Sequence, residues 1–515
     1  GTGKPLQARP GGIKANMFLK KQVLVIGAGF AGLTTAALLA KEGFAVRILE
    51  KCDSPGGRAR LWEKDGFAFD MGPSWYLMPE VFDQYFRLFG KDRSSYYDLK
   101  KLSIHYTVHF ERHEPVQITS DFKQIKDVFE QFEKGGAEKL EAYVANAKYK
   151  YDTAMQDFLY REYRHVFQFL NRRLMTEGLR LNIFQALDPY VRRYFTDVRA
   201  RQILEYAMVF LGASPTNAPA LYSLISYLDL SDGVYFPVGG MYAIVEGLVK
   251  LCGELGVQVE YGVEVQHIDE KQGRLSTVQA QQHGQLREYT ADAVVMCGDY
   301  AHADLDLLDP QAANYSRSYW DKAVLAPSMF IAYLGLNREV PELAHHNLYF
   351  SRDWDVHFDS IFKRPQWPDN PCFYLSAASK TDRRAAPPGK ENLFLLVPVA
   401  PGLADTDELR RTYYEKSLAH VEQRLGITIR PYIQVERLFS QRDFADSYHA
   451  FKGTALGMAH TLWQTAVFRP SMRSKKVRGL FFAGQYTHPG VGVPMTFIAS
   501  QVVAPIVANY VRGKA

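Results

Sequence analysis

Cysteine is scarce in this chain, and the four present, Cys52, Cys252, Cys297 and Cys372, lie too far apart to form a C-x-x-C pair. That excludes a disulfide-framed fold and a thiolate metal site, and it fits a reduced, intracellular protein. No apolar run approaches the roughly 18 residues that a membrane-crossing helix needs. A secretory signal, internal repeats and low-complexity tracts are also missing. The net charge is only +5 over 515 residues, without a dense basic run or a nucleic-acid motif, so nucleic acid is not an expected partner. Neither a metal-ligand cluster, a P-loop nor a nucleophilic triad is present, and the metal expectation is none. What the chain has is length for two or three domains, 47% apolar residues for full cores, and a somewhat high 13% of aromatics.

One stretch commits the chain to a chemistry. The run Val23-Leu24-Val25-Ile26 is too short for a helix and fits a buried parallel strand. It leads into Gly27-Ala28-Gly29-Phe30-Ala31-Gly32, a G-x-G-x-x-G pattern. Gly27 permits the tight turn, Gly29 lets backbone approach a pyrophosphate, and Gly32 lets the next helix pack close. A breaker-free helix follows from Leu33 to Glu42, then a strand from Ala45 to Leu49 that ends on Glu50. An acid at that spacing accepts hydrogen bonds from a ribose and argues against a 2′-phosphate there. Phosphates would sit on the helix N-terminus beside Phe30 and Ala31, where free N–H groups favour anions. The alternative is a structural glycine turn in some other βαβ unit.

The continuation, Lys51-Cys52-Asp53-Ser54-Pro55-Gly56-Gly57-Arg58, resembles the flavoprotein amine oxidase and carotenoid desaturase superfamily, which binds FAD. The resemblance puts Arg58 at the pyrophosphate or the flavin; the alternative is an ordinary surface cation. Phe69-Asp70-Met71-Gly72-Pro73-Ser74 is similar to a segment that carotenoid desaturases carry beside the flavin, and Val265 falls where the superfamily's backbone meets adenine. Near the C-terminus, Ala483-Gly484-Gln485-Tyr486-Thr487-His488-Pro489-Gly490-Val491-Gly492-Val493-Pro494-Met495 combines a strand end, a glycine-rich turn and a helix start. A helix N-terminus there would stabilise the negative charge of a reduced flavin. Together with Gly239-Gly240-Met241, the Ala-His-His of 344–346 and Phe451-Lys452-Gly453, this motif resembles bacterial-type phytoene desaturases over nearly the whole chain from Val23.

The resemblance implies FAD-dependent dehydrogenation of a long polyene, with phytoene towards lycopene as the first expectation. Hydroxycarotenoid 3,4-desaturases and carotenoid isomerases share the pattern. A prenyl-protein-binding module of the same fold is the non-enzyme alternative, and an amine oxidase is a more distant one. A carotenoid dissolves in the bilayer, so the expected setting is cytoplasmic with peripheral membrane attachment; kinship suggests quinone or oxygen as electron acceptor. The cofactor contacts implied are Gly27, Gly29, Phe30, Ala31, Gly32, Glu50, Lys51, Gly57, Arg58, Gly72, Pro73, Ser74, Val265, Gly484, Gln485, Gly492, Val493, Pro494 and Met495. His488 is the catalytic candidate: it polarises the flavin, donates a proton, or merely caps its turn. His345 and His346 read as core or surface. The cap neighbourhood around Asn171 offers no acid for catalysis.

The expected fold class is α/β, with a discontinuous Rossmann-like FAD-binding domain from 17–76, 230–300 and 472–515. A mixed-sheet substrate domain would come from 77–120 and 301–471, and a helical, membrane-facing cap from 121–229. Within the cap, Phe158 to Met175 interleaves aromatics with Arg161, Arg164, Arg172 and Arg173, which suits an interfacial helix or a core helix. Residues 1–16 precede Met17 without periodicity and read as an expression remnant.

Overall fold

The computed structural model describes residues 20–164 and 181–514. Residues 1–16, and the part of the arginine-aromatic segment from 165 to 175, lie outside the described residues. The chain opens with β1 (Gln22–Ile26), α1 (Phe30–Lys41) and β2 (Ala45–Glu50). Later come α2 (Tyr242–Glu254), β3 (Gln258–Tyr261), β4 (Ala293–Met296), β5 (Leu480–Phe482) and α3 (Val493–Val511). These strands form one five-stranded parallel sheet in the order β5-β4-β1-β2-β3. The strand order reverses between β1 and β4, which opens a crevice beyond their carboxyl ends where ligands bind in such sheets.

Burial on both faces explains the near-continuous apolar runs in β1 and β4. One face packs on α1, α2 and α3 through Val23, Val25, Ile48 and Val295. The other uses Leu24, Ile26, Leu49 and Val294 to cover a three-stranded antiparallel sheet of Val263–Lys271, Arg274–Gln282 and Gln285–Tyr289. Among the described residues α3 is the one helix long and apolar enough to cross a membrane, yet more than half of it is buried. Its place beside α1 accounts for that apolarity.

A second, seven-stranded sheet runs Ile433–Phe439, Ser328–Leu336, Glu391–Val399, Phe373–Ser376, His346–Phe350, Ile104–Phe110 and Val116–Thr119. All its pairs are antiparallel except His346–Phe350 with Ile104–Phe110. Helices including Phe122–Phe132, Gly136–Thr153 and Val198–Glu205 share a core with it through Phe129, Tyr143 and Ile203. Two of these helices start on an aspartate: Asp121 and Asp197 accept from the backbone N–H groups of Lys123 and Arg199.

The expected helix from Phe158 onwards is not formed in its described part. Gly136–Thr153 continues as a wider turn through Ala154–Phe158, and residues 161–164 are irregular. The reason is local: the Phe158 and Leu159 carbonyls lie 3.1 Å from His488 Nε2, and Tyr163 Oη donates to the Phe158 carbonyl at 3.1 Å. Those oxygens are satisfied without another helical turn.

A buried carboxyl ties the helical layer to the second sheet. Asp229 Oδ2 accepts from Tyr106 Oη at 2.7 Å and Tyr206 Oη at 2.9 Å. Burial raises its pKa from 3.8 to about 7, against the lowering effect of the two hydroxyls. The folded chain therefore holds a proton that the unfolded chain releases. This contribution to stability is complete below pH 3.8 and is lost as pH rises towards 7. Asp229→Asn should remove a slope of about 1.4 kcal/mol per pH unit in that window. Urea unfolding of both proteins at pH 5 and pH 7 checks it; equal slopes would contradict the assignment.

Candidate active site

The glycines at the end of β1 are used as their spacing demands. Gly27 has φ +99°, and its N–H donates to the Leu49 carbonyl at 2.8 Å, which locks the turn against β2. A Cβ on Gly32 would lie 1.9 Å from the Gly27 carbonyl oxygen, so only glycine lets α1 sit this close. Gly29 caps α1 without a side-chain acceptor, and no acidic residue occupies its first turn. The far helix matches: α3 starts at Gly492, also lacks a side-chain cap and a first-turn acid, and carries Pro494 near its start. Two uncapped helix N-termini thus meet one crevice, each ready for an electron-rich group.

The crevice opens into a cavity of about 560 Å³. Gly27, Gly29, Phe30, Ala31, Glu50, Lys51, Gly57 and Arg58 line it from the first βαβ unit, and Gly72, Pro73, Ser74 and Val265 from the middle. Gly484, Gln485, His488, Gly492, Val493, Pro494 and Met495 line it from the C-terminal motif. Gly32 alone of the anticipated set stands behind the wall, packing helix on turn.

Several of these side chains are also tied to protein. Glu50 is buried and accepts from the N–H of Ala28 at 2.6 Å and of Cys52 at 2.8 Å. A carboxylate retains lone pairs for a ribose hydroxyl after two such bonds. Lys51 Nζ lies 3.2 Å from Glu264 Oε1, donates to the Asp446 carbonyl at 2.6 Å, and sits 3.0 Å from His449 Nε2. Its three donors make it a strut at the rim. Arg58 stacks over Tyr448 at 5.4 Å; in the amide orientation that hydrogen bonding demands, Gln485 accepts from its Nη2 at 3.1 Å and Nη1 at 3.3 Å. Arg58 Nε is buried without a protein acceptor, as suits a cation that meets a bound anion. Gly72 is required there, since a Cβ would fall 2.4 Å from the Arg58 carbonyl.

His488 is buried, and burial lowers its pKa to about 4, so it is neutral at physiological pH. With Nε2–H donating to the Phe158 and Leu159 carbonyls, Nδ1 is left without a partner. His345 and His346 belong to the core.

Asp299 and Arg469 had no local signal, and Asp70 stood in a motif without a role of its own. Asp299, just past β4, accepts from Tyr486 Oη at 2.7 Å, from the Phe451 N–H at 3.3 Å and from the His302 N–H at 3.1 Å, drawing three loops round the cavity. Asp70 accepts from the N–H groups of Met241 at 2.7 Å and Tyr242 at 3.0 Å. A Cβ on Gly240 would fall 2.5 Å from its Oδ2, which explains the Gly239-Gly240-Met241 motif. Arg469 is buried and donates to six carbonyls, of Met458, Ala459, Gln464, Gln485, Tyr486 and Thr487. It clasps the back of the C-terminal motif, and Gly490 leaves room for it and for the His460 ring, 2.3 Å from where a Cβ would be.

Outside the segments of the glycine cradles the lining is mainly apolar: Phe158, Leu159, Leu221, Leu224, Met329 and Leu396 are among it. The Asp, Glu, Lys and Arg residues on the described lining are Glu50, Lys51, Arg58, Glu264 and Asp299, which stand in the first βαβ unit, beside Val265 and just past β4.

The flavin-containing amine oxidoreductase family matches residues 30–505. A carotenoid 3,4-desaturase of Haloarcula japonica is 44% identical over 487 residues, covering 94% of this chain and 97% of the relative. The chain belongs to the carotenoid desaturase family of FAD-dependent oxidoreductases. A zeta-carotene-forming phytoene desaturase of Myxococcus xanthus is 34% identical over 491 residues, covering 94% of this chain and 93% of its own length. Among solved structures, an oxidoreductase from Methanosarcina mazei superposes with a TM-score of 0.64 at 16% identity, over 94% of this chain and 99% of that one. That likeness shows a shared fold. Two facing glycine cradles and an orphaned guanidinium nitrogen fit the family's cofactor, FAD. In this carotenoid desaturase the two glycine cradles and a large set of apolar side chains line one cavity.

Proposed function

We propose that this carotenoid desaturase introduces the 3,4 double bond of an acyclic carotenoid, and that phytoene is the second candidate substrate. The observation that carries a hydrocarbon substrate is the part of the cavity lining outside the expected cofactor segments, which is mainly apolar and, among the described residues, has no Asp, Glu, Lys or Arg. An amine substrate would need a carboxylate or similar acceptor there. The order of the two carotenoid readings differs from the expectation above, because identity to the Haloarcula 3,4-desaturase exceeds identity to the Myxococcus phytoene desaturase.

In this reading the N-terminus of α1 would hold the pyrophosphate, Glu50 would take the ribose, and Val265 would meet the adenine. Arg58, Gln485 and the N-terminus of α3 would hold the rest of the cofactor. Bound there, FAD supplies a two-electron hydride acceptor that quinone or oxygen can re-oxidise. The protein's part is positioning and water exclusion: the apolar wall holds a saturated C–C bond that has no acidic proton to exploit. His488 is assigned to holding the Phe158–Leu159 wall, because the N–H it would donate is spent on those carbonyls. The FAD-binding, substrate and cap segments anticipated from the sequence serve as the domain scheme. To test the substrate, the FAD-loaded protein is given liposomal phytoene or a more unsaturated acyclic carotenoid, with a quinone acceptor. Turnover of the second and slow or no turnover of phytoene is expected; the reverse would restore phytoene as substrate.

The cap end of the cavity is the face assigned to the bilayer, as a peripheral contact. Trp463 is 72% exposed and pairs with Phe468 at 5.6 Å, beside the cavity-lining Thr465 and Ala466; Phe184 is 79% exposed beside the cavity-lining Ile183. Solvated rings of that size beside an apolar mouth suit lipid headgroups. Trp463→Ser with Phe184→Ser should weaken co-sedimentation with liposomes about tenfold or more, and charge reversal at Arg161 and Arg164 should weaken binding to anionic liposomes specifically. Unchanged sedimentation in both would remove this face from the membrane.

A further inference from the structure

Making a C=C bond from CH–CH removes a hydride, which leaves on the cofactor with two electrons, and a proton from the neighbouring carbon. That proton must leave an apolar cavity. The carbon bearing it becomes strongly acidic as the hydride departs, so a weak neutral acceptor suffices if its proton can move on.

Five histidines stand on or just behind the cavity wall. His302 and His449 stack on each other at 4.0 Å and are tied to Asp306 and Glu264; hydrogen bonding separates the other three. His460 Nδ1 lies 2.6 Å from Tyr222 Oη, and its Nε2 accepts from the Val491 N–H at 3.0 Å. Both nitrogens are used, and an amide cannot carry a proton onward. His488 ends on two carbonyls, which is a dead end of the same kind. His346 differs. Its Nδ1 lies 2.6 Å from Oη of Tyr374, a cavity-lining residue of the second sheet, while its Nε2 is buried without a protein partner.

Beyond His346 lies the start of a way out. The His345 ring is 4.2 Å away, its Nδ1 meets Thr381 Oγ1 at 2.6 Å, and its Nε2 is likewise buried and unpartnered. His345 lines a second cavity of about 200 Å³, which shares Ser74 with the first and holds Asp70, Asp382 and the exposed Arg384. Buried polar nitrogens beside such a space are the setting for ordered water. Trp75, stacked on His346 at 4.6 Å and 14°, walls the pair off from the main cavity.

Resting on the dehydrogenation proposed above, we propose that Tyr374 takes the proton released from carbon and passes its own hydroxyl proton to His346 Nδ1. His346 then gives up its Nε2 proton through water to His345 and the second cavity. One C–H bond breaks and one O–H forms at Tyr374; each later transfer exchanges one proton and moves no electrons. Burial keeps His346 and His345 neutral at rest, so the relay does not trap the proton it carries. Tyr374 is the catalytic residue of this step, and His346 and His345 are positioning and relay residues.

The test is anaerobic mixing of the FAD-loaded protein with liposomal carotenoid, read as the rate of flavin bleaching. Tyr374→Phe loses only a hydroxyl, and His346→Asn keeps an acceptor for Tyr374 but cannot pass a proton on. Both should bleach about a hundredfold more slowly, with unchanged FAD content and carotenoid binding. Wild type should be slower in D₂O and Tyr374→Phe should not. Added imidazole should restore much of the rate in His346→Ala. A purely packing role would change carotenoid binding and leave the D₂O effect in place, and that result overturns the relay. Wild-type rates in both Tyr374→Phe and His346→Asn would overturn the relay alone. A wild type that no carotenoid bleaches would overturn the dehydrogenation reading and the relay with it.

Discussion

Gly32→Ala is expected to give a protein without bound FAD and at least about 3 kcal/mol less stable than wild type. The added Cβ would lie 1.9 Å from the Gly27 carbonyl oxygen and 3.0 Å from its carbon. Neither neighbour can yield cheaply. Gly27 is held by its own N–H on the Leu49 carbonyl and sits 3.6 Å, measured from its projected Cβ, from the end of β4. Moving α1 instead would disturb its packing on β1 and α3, where Leu33, Ala36 and Ala37 are fully buried. Either shift would move the N–H groups of Phe30 and Ala31 out of the crevice in which the pyrophosphate is proposed to rest. Flavin absorbance per protein and a thermal melt check it; a yellow Gly32→Ala protein with wild-type stability would refute this account of the turn.

The second large effect is at Arg469. Arg469→Met should cost about 3–5 kcal/mol and release FAD. Burial lowers this guanidinium's pKa only to about 10, so it remains a cation at neutral pH. Among the described residues it has no carboxylate partner and is satisfied by six carbonyl oxygens instead. Methionine of similar length fills the space and leaves those oxygens buried without donors. Three of them, on Gln485, Tyr486 and Thr487, belong to the loop that carries Gln485 and His488 into the cavity. Arg469→Lys should fall between, because an ammonium supplies three donors where the guanidinium supplies five. Urea midpoints and FAD retention of the two variants give the comparison. Equal loss in the Lys and Met variants would contradict the hydrogen-bond count, since lysine keeps both the charge and three donors, and would leave the planar shape of the guanidinium as the cause.

These two residues also mark what sequence reading reaches. The turn at Gly27–Gly32 is a local device: strand, glycines, helix and acid lie within one βαβ unit, and their spacing states the geometry. The C-terminal motif is local in the same way, so both glycine-rich turns and the Rossmann-like class of the first sheet were legible. Arg469 was not, because an arginine before a proline has no pattern; its meaning comes from carbonyls on two loops that only the fold brings together. Asp70 and Gly240 are the same kind of case, a cap and its clearance 170 residues apart, as are Asp299 with Tyr486 and Tyr374 with His346. The segment from Phe158 shows the opposite error. Its aromatics suggested an interfacial or core helix, yet Phe158, Leu159 and Tyr163 line the cavity and the backbone leaves helical form there. Periodicity reports that a face is apolar and is silent on whether protein, lipid or substrate covers it.

The most direct measurement of the central claim is a single anaerobic turnover. FAD-loaded protein is mixed with liposomes carrying an acyclic carotenoid saturated at C3–C4, and flavin bleaching is recorded alongside the carotenoid spectrum. One equivalent of flavin should bleach for each double bond formed, with the carotenoid band shifting to longer wavelength. A carotenoid that shifts while the flavin stays oxidised, or a flavin that no carotenoid bleaches, would contradict the account.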